Sequence, residues 1–126
     1  MPFQCPECSF PSSLRITSRI ELPPDSRSDE ISLQVIQCRN CGFAGLAIYE
    51  ESRRGALDSE IIHHIGYHVH PEDLKTIKGM IHRCPNPKDP RCTCASHLEL
   101  RKKNAYGRWD GLSGMRLGLS FDMKLE

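Results

Sequence analysis

Cys5-Pro6-Glu7-Cys8 and Cys38-Arg39-Asn40-Cys41-Gly42 stand twenty-nine residues apart, and the reading of these two CxxC segments decides the fold. Each segment can curl into a knuckle that presents two thiolates to one ion, and two knuckles together complete a tetrahedron of four sulfurs. Zinc suits that set: it is borderline soft, accepts four sulfurs without a redox role, and its binding offsets the chain entropy lost when distant segments are joined. Between the pairs, Leu14, Ile16, Ile20 and Leu22 alternate with Arg15, Thr17, Arg19 and Glu21, the period of a half-buried strand. Pro23-Pro24-Asp25-Ser26-Arg27-Ser28 interrupts the pattern, and Ile31, Leu33 and Val35 resume it and lead into Cys38. The interval therefore predicts a long hairpin with its apolar residues, Leu14, Ile16, Ile20, Leu33 and Val35, on one face. A third short strand is expected at Leu46 to Tyr49.

Over residues 3–50 these pairs resemble the zinc-ribbon superfamily, and the resemblance implies two knuckles clamping the base of a β-hairpin around a structural zinc held by Cys5, Cys8, Cys38 and Cys41. Within that region the run Arg27-Ser28-Asp29-Glu30 is similar to the acidic hairpin tip of transcript-cleavage factors, which implies a polymerase-directed role for Asp29 and Glu30. The Pro23-Pro24 pair departs from that pattern. The same twenty-nine-residue gap also resembles rubredoxins, in which four thiolates hold iron for electron transfer. Ser9 stands where a glycine would follow Cys8, and the interval lacks the aromatic residues that shield such an iron.

A second constellation is Cys84-Pro85-Asn86-Pro87-Lys88-Asp89-Pro90-Arg91-Cys92-Thr93-Cys94-Ala95-Ser96-His97. Three prolines stiffen the seven-residue loop, which lowers the entropy cost of returning Cys84 to Cys92. A tight turn can then aim Cys92, Cys94 and His97 at the same point. Seven cysteines and one histidine fill two tetrahedral sites with no thiol left over, so two zinc ions per chain are expected. His82, two residues before Cys84, competes with His97 for the eighth ligand position. A redox-active Cys92-x-Cys94 pair is the alternative, although it lacks a helix N-terminus to depress its thiol pKa.

Further along, Asp58 or Ser59 can cap a helix carrying Ile61, Ile62 and Ile65, ended by Gly66. Pro71, Glu72 and Asp73, followed by Leu74, Ile77, Met80 and Ile81, predict a second helix ending near His82. From Met115 to Leu125 every odd position is apolar, the pattern of an amphipathic strand that must be covered by the ribbon sheet or by a second copy. A homodimer is expected on this ground. The fold class is thus α+β: one domain over 1–126, made of a zinc-ribbon hairpin (1–50), two helices and a Cys3His knuckle (51–97), and a basic connector with a C-terminal strand (98–126).

Only 38% of the 126 residues are hydrophobic and 6% aromatic, a thin core that metal ions would supplement. Met1 to Phe10 has neither a basic opening nor an apolar run, so a cytoplasmic, reducing setting is expected, in which paired thiols favour metal over disulfides. No segment is long enough to span a membrane. The net charge of +1 excludes a strongly cationic nucleic-acid coat. A local patch remains: Arg101, Lys102, Lys103 and Arg108 with Tyr106 and Trp109, cations and rings in the arrangement single-stranded nucleic acid needs. No nucleotide-binding glycine loop or nucleophile elbow is present, and no catalytic residue is assigned. His63, His64, His68 and His70, with Asp58 or Glu60, are the single enzyme-like cluster, a candidate open metal site. The expected function is a zinc-stabilised binding module for nucleic acid or for a protein of the transcription or translation machinery. A redox protein or metalloenzyme, with iron at the four-cysteine site or a metal at the histidines, is the alternative.

Overall fold

A computed structural model of the chain describes residues 3–53 and 61–125. Five strands form one antiparallel sheet in sequential order: β1 (Leu14–Leu22), β2 (Glu30–Cys38), β3 (Ala44–Ser52), β4 (Ile61–Val69) and β5 (Leu117–Asp122). Helices α1 (Pro71–Arg83) and α2 (Ala95–Leu100) lie between β4 and β5 in the chain. The expected α+β fold, a zinc-ribbon hairpin with two helices, is therefore corrected: the architecture is a five-stranded antiparallel meander in which the first expected helix is strand β4, the second is α1, and the other helix, α2, is a six-residue turn after the second cysteine group.

The correction starts at residues 61–69. Ile61, Ile62 and Ile65 sit in β4, paired to β3 through Glu51↔Ile62, Ile48↔Ile65 and Leu46↔Tyr67. The segment is rich in β-branched and aromatic residues, which lose rotamer freedom in a helix and pack well on a pleated surface. Gly66 does not stop a helix. The Phe121 ring of β5 lies over it, and a Cβ there would collide with the ring. The expected cap at Asp58 or Ser59 lies outside the described residues.

A bulge between Ile16 and Ser18 corrects a second expectation. Before it, Leu14 and Ile16 pair with Cys38 and Ile36; after it, Ile20 and Leu22 pair with Leu33 and Ile31. One inserted residue moves the even positions of β1 to the opposite face of the sheet. The apolar residues consequently build two cores. One contains Phe3, Leu14, Ile36, Ala47 and Met123, and the other contains Ile20, Leu22, Leu33, Val35 and Leu46 under Ile77 and Ile81 of α1.

Helix α1 occupies the expected span. Pro71 stands in its first turn, and the His70 ring nitrogen accepts from the Glu72 N–H at the N-cap. The Arg116 guanidinium donates to both carboxylate oxygens of Asp73, tying the start of α1 to the strand that follows. The terminal strand adds to the sheet beside β4, with Gly66↔Phe121 and Val69↔Leu117 in register. Phe121 and Met123 pack inward, whereas Leu119 is 78% exposed and Leu117 and Leu125 are also exposed, so the apolar face from which a homodimer was expected is covered in part.

Asp25 joins the β1–β2 loop to the loop before β5. Its carboxylate, fully removed from solvent, accepts from the N–H groups of Arg27 (2.9 Å), Ser28 (2.7 Å) and Trp109 (2.7 Å), and from Arg108 Nη1 (2.6 Å). Burial pushes its pKa up, but those three N–H donors and the guanidinium outweigh it and hold the group below its ordinary value. Because the folded pKa is depressed, the stabilisation is complete above the ordinary carboxyl range and is lost as pH falls below about 4. Asp25→Asn should cost about 2 kcal/mol at pH 7 in urea titrations, and the difference from the unmodified chain should shrink as pH falls through that range.

Candidate metal centres

The first centre sits at one end of the sheet, where the segment before β1 meets the β2–β3 turn. The knuckles share one backbone design. Ser9 N–H donates to the Cys5 carbonyl (3.0 Å) and Gly42 N–H to the Cys38 carbonyl (3.2 Å), and the residue after each second cysteine takes a positive φ, 58° at Ser9 and 80° at Gly42. Amide N–H groups of Glu7, Asn40 and Cys41 point at the Cys5 and Cys38 sulfurs at 3.3–3.4 Å. The Ser13 hydroxyl lies 3.2 Å from Cys38 Sγ. Arg39 N–H, donating to the Ser13 carbonyl at 2.9 Å, fastens the second knuckle to the start of β1.

The second centre lies on the α1 side of the sheet. Cys84 follows α1 directly, the proline loop brings Cys92 back, and Cys94 caps α2, its sulfur accepting from the His97 N–H at 3.4 Å, which corrects the expectation that no helix N-terminus serves the Cys92-x-Cys94 pair. His97 is fully buried, and its Nε2–H donates to the Glu21 carbonyl of β1 at 2.9 Å, which leaves Nδ1 with a lone pair for the sulfur cluster. Glu21 N–H in turn donates to the Pro87 carbonyl at 2.7 Å, so the knuckle covers the outer edge of β1.

The spacing of donor atoms fits a tetrahedral ion. Four sulfurs at about 2.3 Å from one zinc stand about 3.8 Å apart, and a sulfur and an imidazole nitrogen about 3.5 Å. Observed separations are 3.7 Å for Cys5–Cys41, 3.8 Å for Cys8–Cys38 and 3.8 Å for Cys84–Cys92. His97 Nδ1 is 3.1 Å from Cys84 Sγ and 3.5 Å from Cys94 Sγ. Within each group all ligand atoms lie within 4.8 Å of one another, and all seven cysteines are free thiols. Two sites therefore exist that could hold metal ions.

Thiol acidities diverge inside each group. Burial pushes Cys5 up to about 12, whereas Cys38, despite burial, is brought down to about 6 by the Ser13 hydroxyl and the N–H groups of Cys41 and Asn40. Likewise Cys84 is raised to about 11 by burial, and Cys94 is lowered to about 6, chiefly by the His97 N–H. Clustered thiolates repel, so neighbours share their protons unevenly; a divalent cation removes the repulsion and takes every sulfur as thiolate.

The remaining sequence candidates are dispersed. His82 is exposed, while His97 completes the second group. Among the described residues the other histidines form no ligand cluster: His64 Nε2 pairs with Gln34 Oε1 at 2.7 Å, His68 with Glu7, and His70 caps α1. Asp58 and Glu60 lie outside the described residues. Asp29 accepts from the Arg53 N–H at 2.7 Å, and Glu30 is 3.5 Å from the Arg53 guanidinium, so the acidic pair is anchored at the end of β3. In the basic patch, Arg108 is engaged by Asp25 and Glu50, Trp109 donates its ring N–H to the Leu100 carbonyl at 2.7 Å, and Lys102 pairs with Glu99. Arg101 is half-buried, and Lys103 and Tyr106 are exposed. Sequence reasoning missed Ser13 and the Glu21 carbonyl, contacts that have no motif; the polar residue one position before the β1 pattern was the available hint for Ser13.

Comparison with protein-family models, with curated proteins and with solved structures returns no match to this chain.

Two outcomes are expected. His97→Ala should release one metal equivalent in native mass spectrometry, and His82→Ala should leave the metal content unchanged. Ser9→Gly should stabilise the chain by about 0.5 kcal/mol in chemical unfolding, because relief of the left-handed Ser9 backbone exceeds the extra entropy of glycine.

Proposed function

We propose that the chain holds two structural zinc ions, Cys5, Cys8, Cys38 and Cys41 binding one and Cys84, Cys92, Cys94 and His97 the other, and acts as a binding module for single-stranded nucleic acid. The observation that carries the zinc reading is the closed donor set at each centre, with spacing suited to a tetrahedral ion. Four protein ligands leave no position for water or substrate, which favours a structural over a catalytic role. The zinc-ribbon likeness of the first centre belongs to this reading, since two knuckles meet at the base of β1 and β2 as in that superfamily. Rubredoxin-like iron is the competing reading. Elemental analysis should give two zinc per chain and a colourless protein; one iron with strong visible absorption would overturn the assignment.

The nucleic-acid reading rests on Tyr106, whose ring is 86% exposed. Its loop is stiff: Asn104 Oδ1 accepts from the N–H groups of Tyr106 (2.9 Å) and Arg108 (3.1 Å), and the Gly107 carbonyl accepts from Ser26 N–H (2.9 Å). An exposed ring on a hydrogen-bonded loop suits base stacking, and Lys103, Arg101 and Lys102 supply phosphate contacts nearby. Arg108 and Trp109 support the loop from beneath. In fluorescence anisotropy with a twelve-nucleotide single-stranded RNA, Tyr106→Ala should weaken binding about tenfold or more, and Lys103→Ala should reduce the salt dependence. Absence of binding to RNA, with specific capture by a purified polymerase or ribosomal component, would move the reading to a protein partner.

A further inference from the structure

The sheet face away from α1 changes character along its length. Beside the first metal centre it is apolar, built from Phe3, Leu14, Ile36, Ala47 and Met123. Past the β1 bulge it turns polar. The register sets Arg19 beside Gln34, Glu21 beside Ser32, and Tyr49 between Ser32 and His64. Ser32 and Gln34 are only 3% and 5% exposed, on a central strand where aliphatic residues would be the ordinary choice. They form the floor of a cleft of about 390 Å³, within the size range of small-molecule sites.

The floor is wired in one direction. His64 Nε2–H donates to Gln34 Oε1 at 2.7 Å, Gln34 Nε2–H donates to Ser32 Oγ at 3.4 Å, and Ser32 pairs across the strands with Glu21. With Nε2 as donor, His64 Nδ1 is an acceptor. The row thus presents acceptors to the cleft at His64 Nδ1, Ser32 Oγ and the Glu21 carboxylate, beside the second N–H of Gln34. Glu30 adds a second carboxylate to the cleft wall; Arg19 Nε stands 3.7 Å from Glu21 and Arg53 Nη2 3.5 Å from Glu30, and both guanidinium groups are more than half exposed, so each carboxylate is held only loosely by its arginine. Phe3, Ile16 and Leu125 supply an apolar wall at the other side. The Phe3 and Tyr49 rings stand edge-on to the His64 ring, at 5.2 and 5.4 Å and near 90°.

We propose that this cleft binds a small organic monocation, a primary ammonium on an apolar body, with the ammonium at Glu21 and Glu30 and the body against Phe3, Ile16 and Leu125. Three N–H donors on a positive centre match two carboxylates that their arginines approach no closer than 3.5 Å. An anion would face both carboxylates across a partly desolvated cleft, with each nearby guanidinium already engaged by one of them. No metal ligand and no residue of the Tyr106 loop lines the cleft, whose link to the second centre runs through the Glu21 backbone, and its occupancy is independent of the nucleic-acid reading.

The test is a titration of the metal-replete 126-residue chain with benzylamine, benzyl alcohol and benzoate, followed by ¹⁵N–¹H correlation spectra. Benzylamine should shift the Ser32, Gln34, Tyr49 and His64 amides saturably, with a Kd on the order of 1 mM, as befits a fragment of its size. Glu21→Gln should raise that Kd about tenfold, with Glu30→Gln giving a smaller rise. Both are conservative changes whose folding the same spectra report. No saturable shift with benzylamine, equal binding of benzyl alcohol or benzoate, or an unchanged Kd in both variants would overturn the proposal.

Discussion

Convergence of sulfurs from distant parts of the chain is the constraint on which the rest of the structure depends. The first centre joins the segment before β1 to the turn after β2, so the two strands between them are closed at one end. The second joins the end of α1 to α2 and, through His97 Nε2 and the Pro87 carbonyl, to both backbone groups of Glu21. A chain with few aromatic residues thereby has each end of β1 held: one by a knuckle, the other by the proline loop. The free energy of metal binding to such sites, on the order of 10 kcal/mol each, is comparable to the whole stability of an ordinary domain.

Given those anchors, the bulge at Ile16–Ser18 determines how the sheet is used. By turning half of β1 over, it lets a single strand contribute to a core beneath α1 and to a second core around Phe3 and Met123. It also marks where the second face stops being apolar. Arg19 and Glu21, which a regular strand would have pointed toward the helix side, instead meet Ser32, Gln34 and His64 on the open face.

The metal-ligand pattern was legible because it is carried by residue type and spacing alone, and the donor atoms come together at the expected positions. So was α1, whose proline, acidic first turn and apolar stripe agree with one another. The β4 strand was not, because Ile61, Ile62 and Ile65 satisfy a helical stripe as well as a strand, and the deciding partner, Phe121 over Gly66, lies more than fifty residues away. The division of the apolar residues between two faces was equally hidden, since a bulge leaves strict alternation in the sequence while reversing its meaning in space. Basic residues around Tyr106 looked alike in the sequence; Asp25 at the far hairpin tip separates Arg108, which it engages, from Lys103, which is exposed.

The central claim is the composition of the two centres, and zinc K-edge X-ray absorption on the purified chain tests it most directly. The account predicts seven sulfurs and one nitrogen shared by two zinc ions, with zinc–sulfur distances of about 2.3 Å. A spectrum dominated by nitrogen or oxygen ligands, or one that fits a single four-sulfur site per chain, would contradict it.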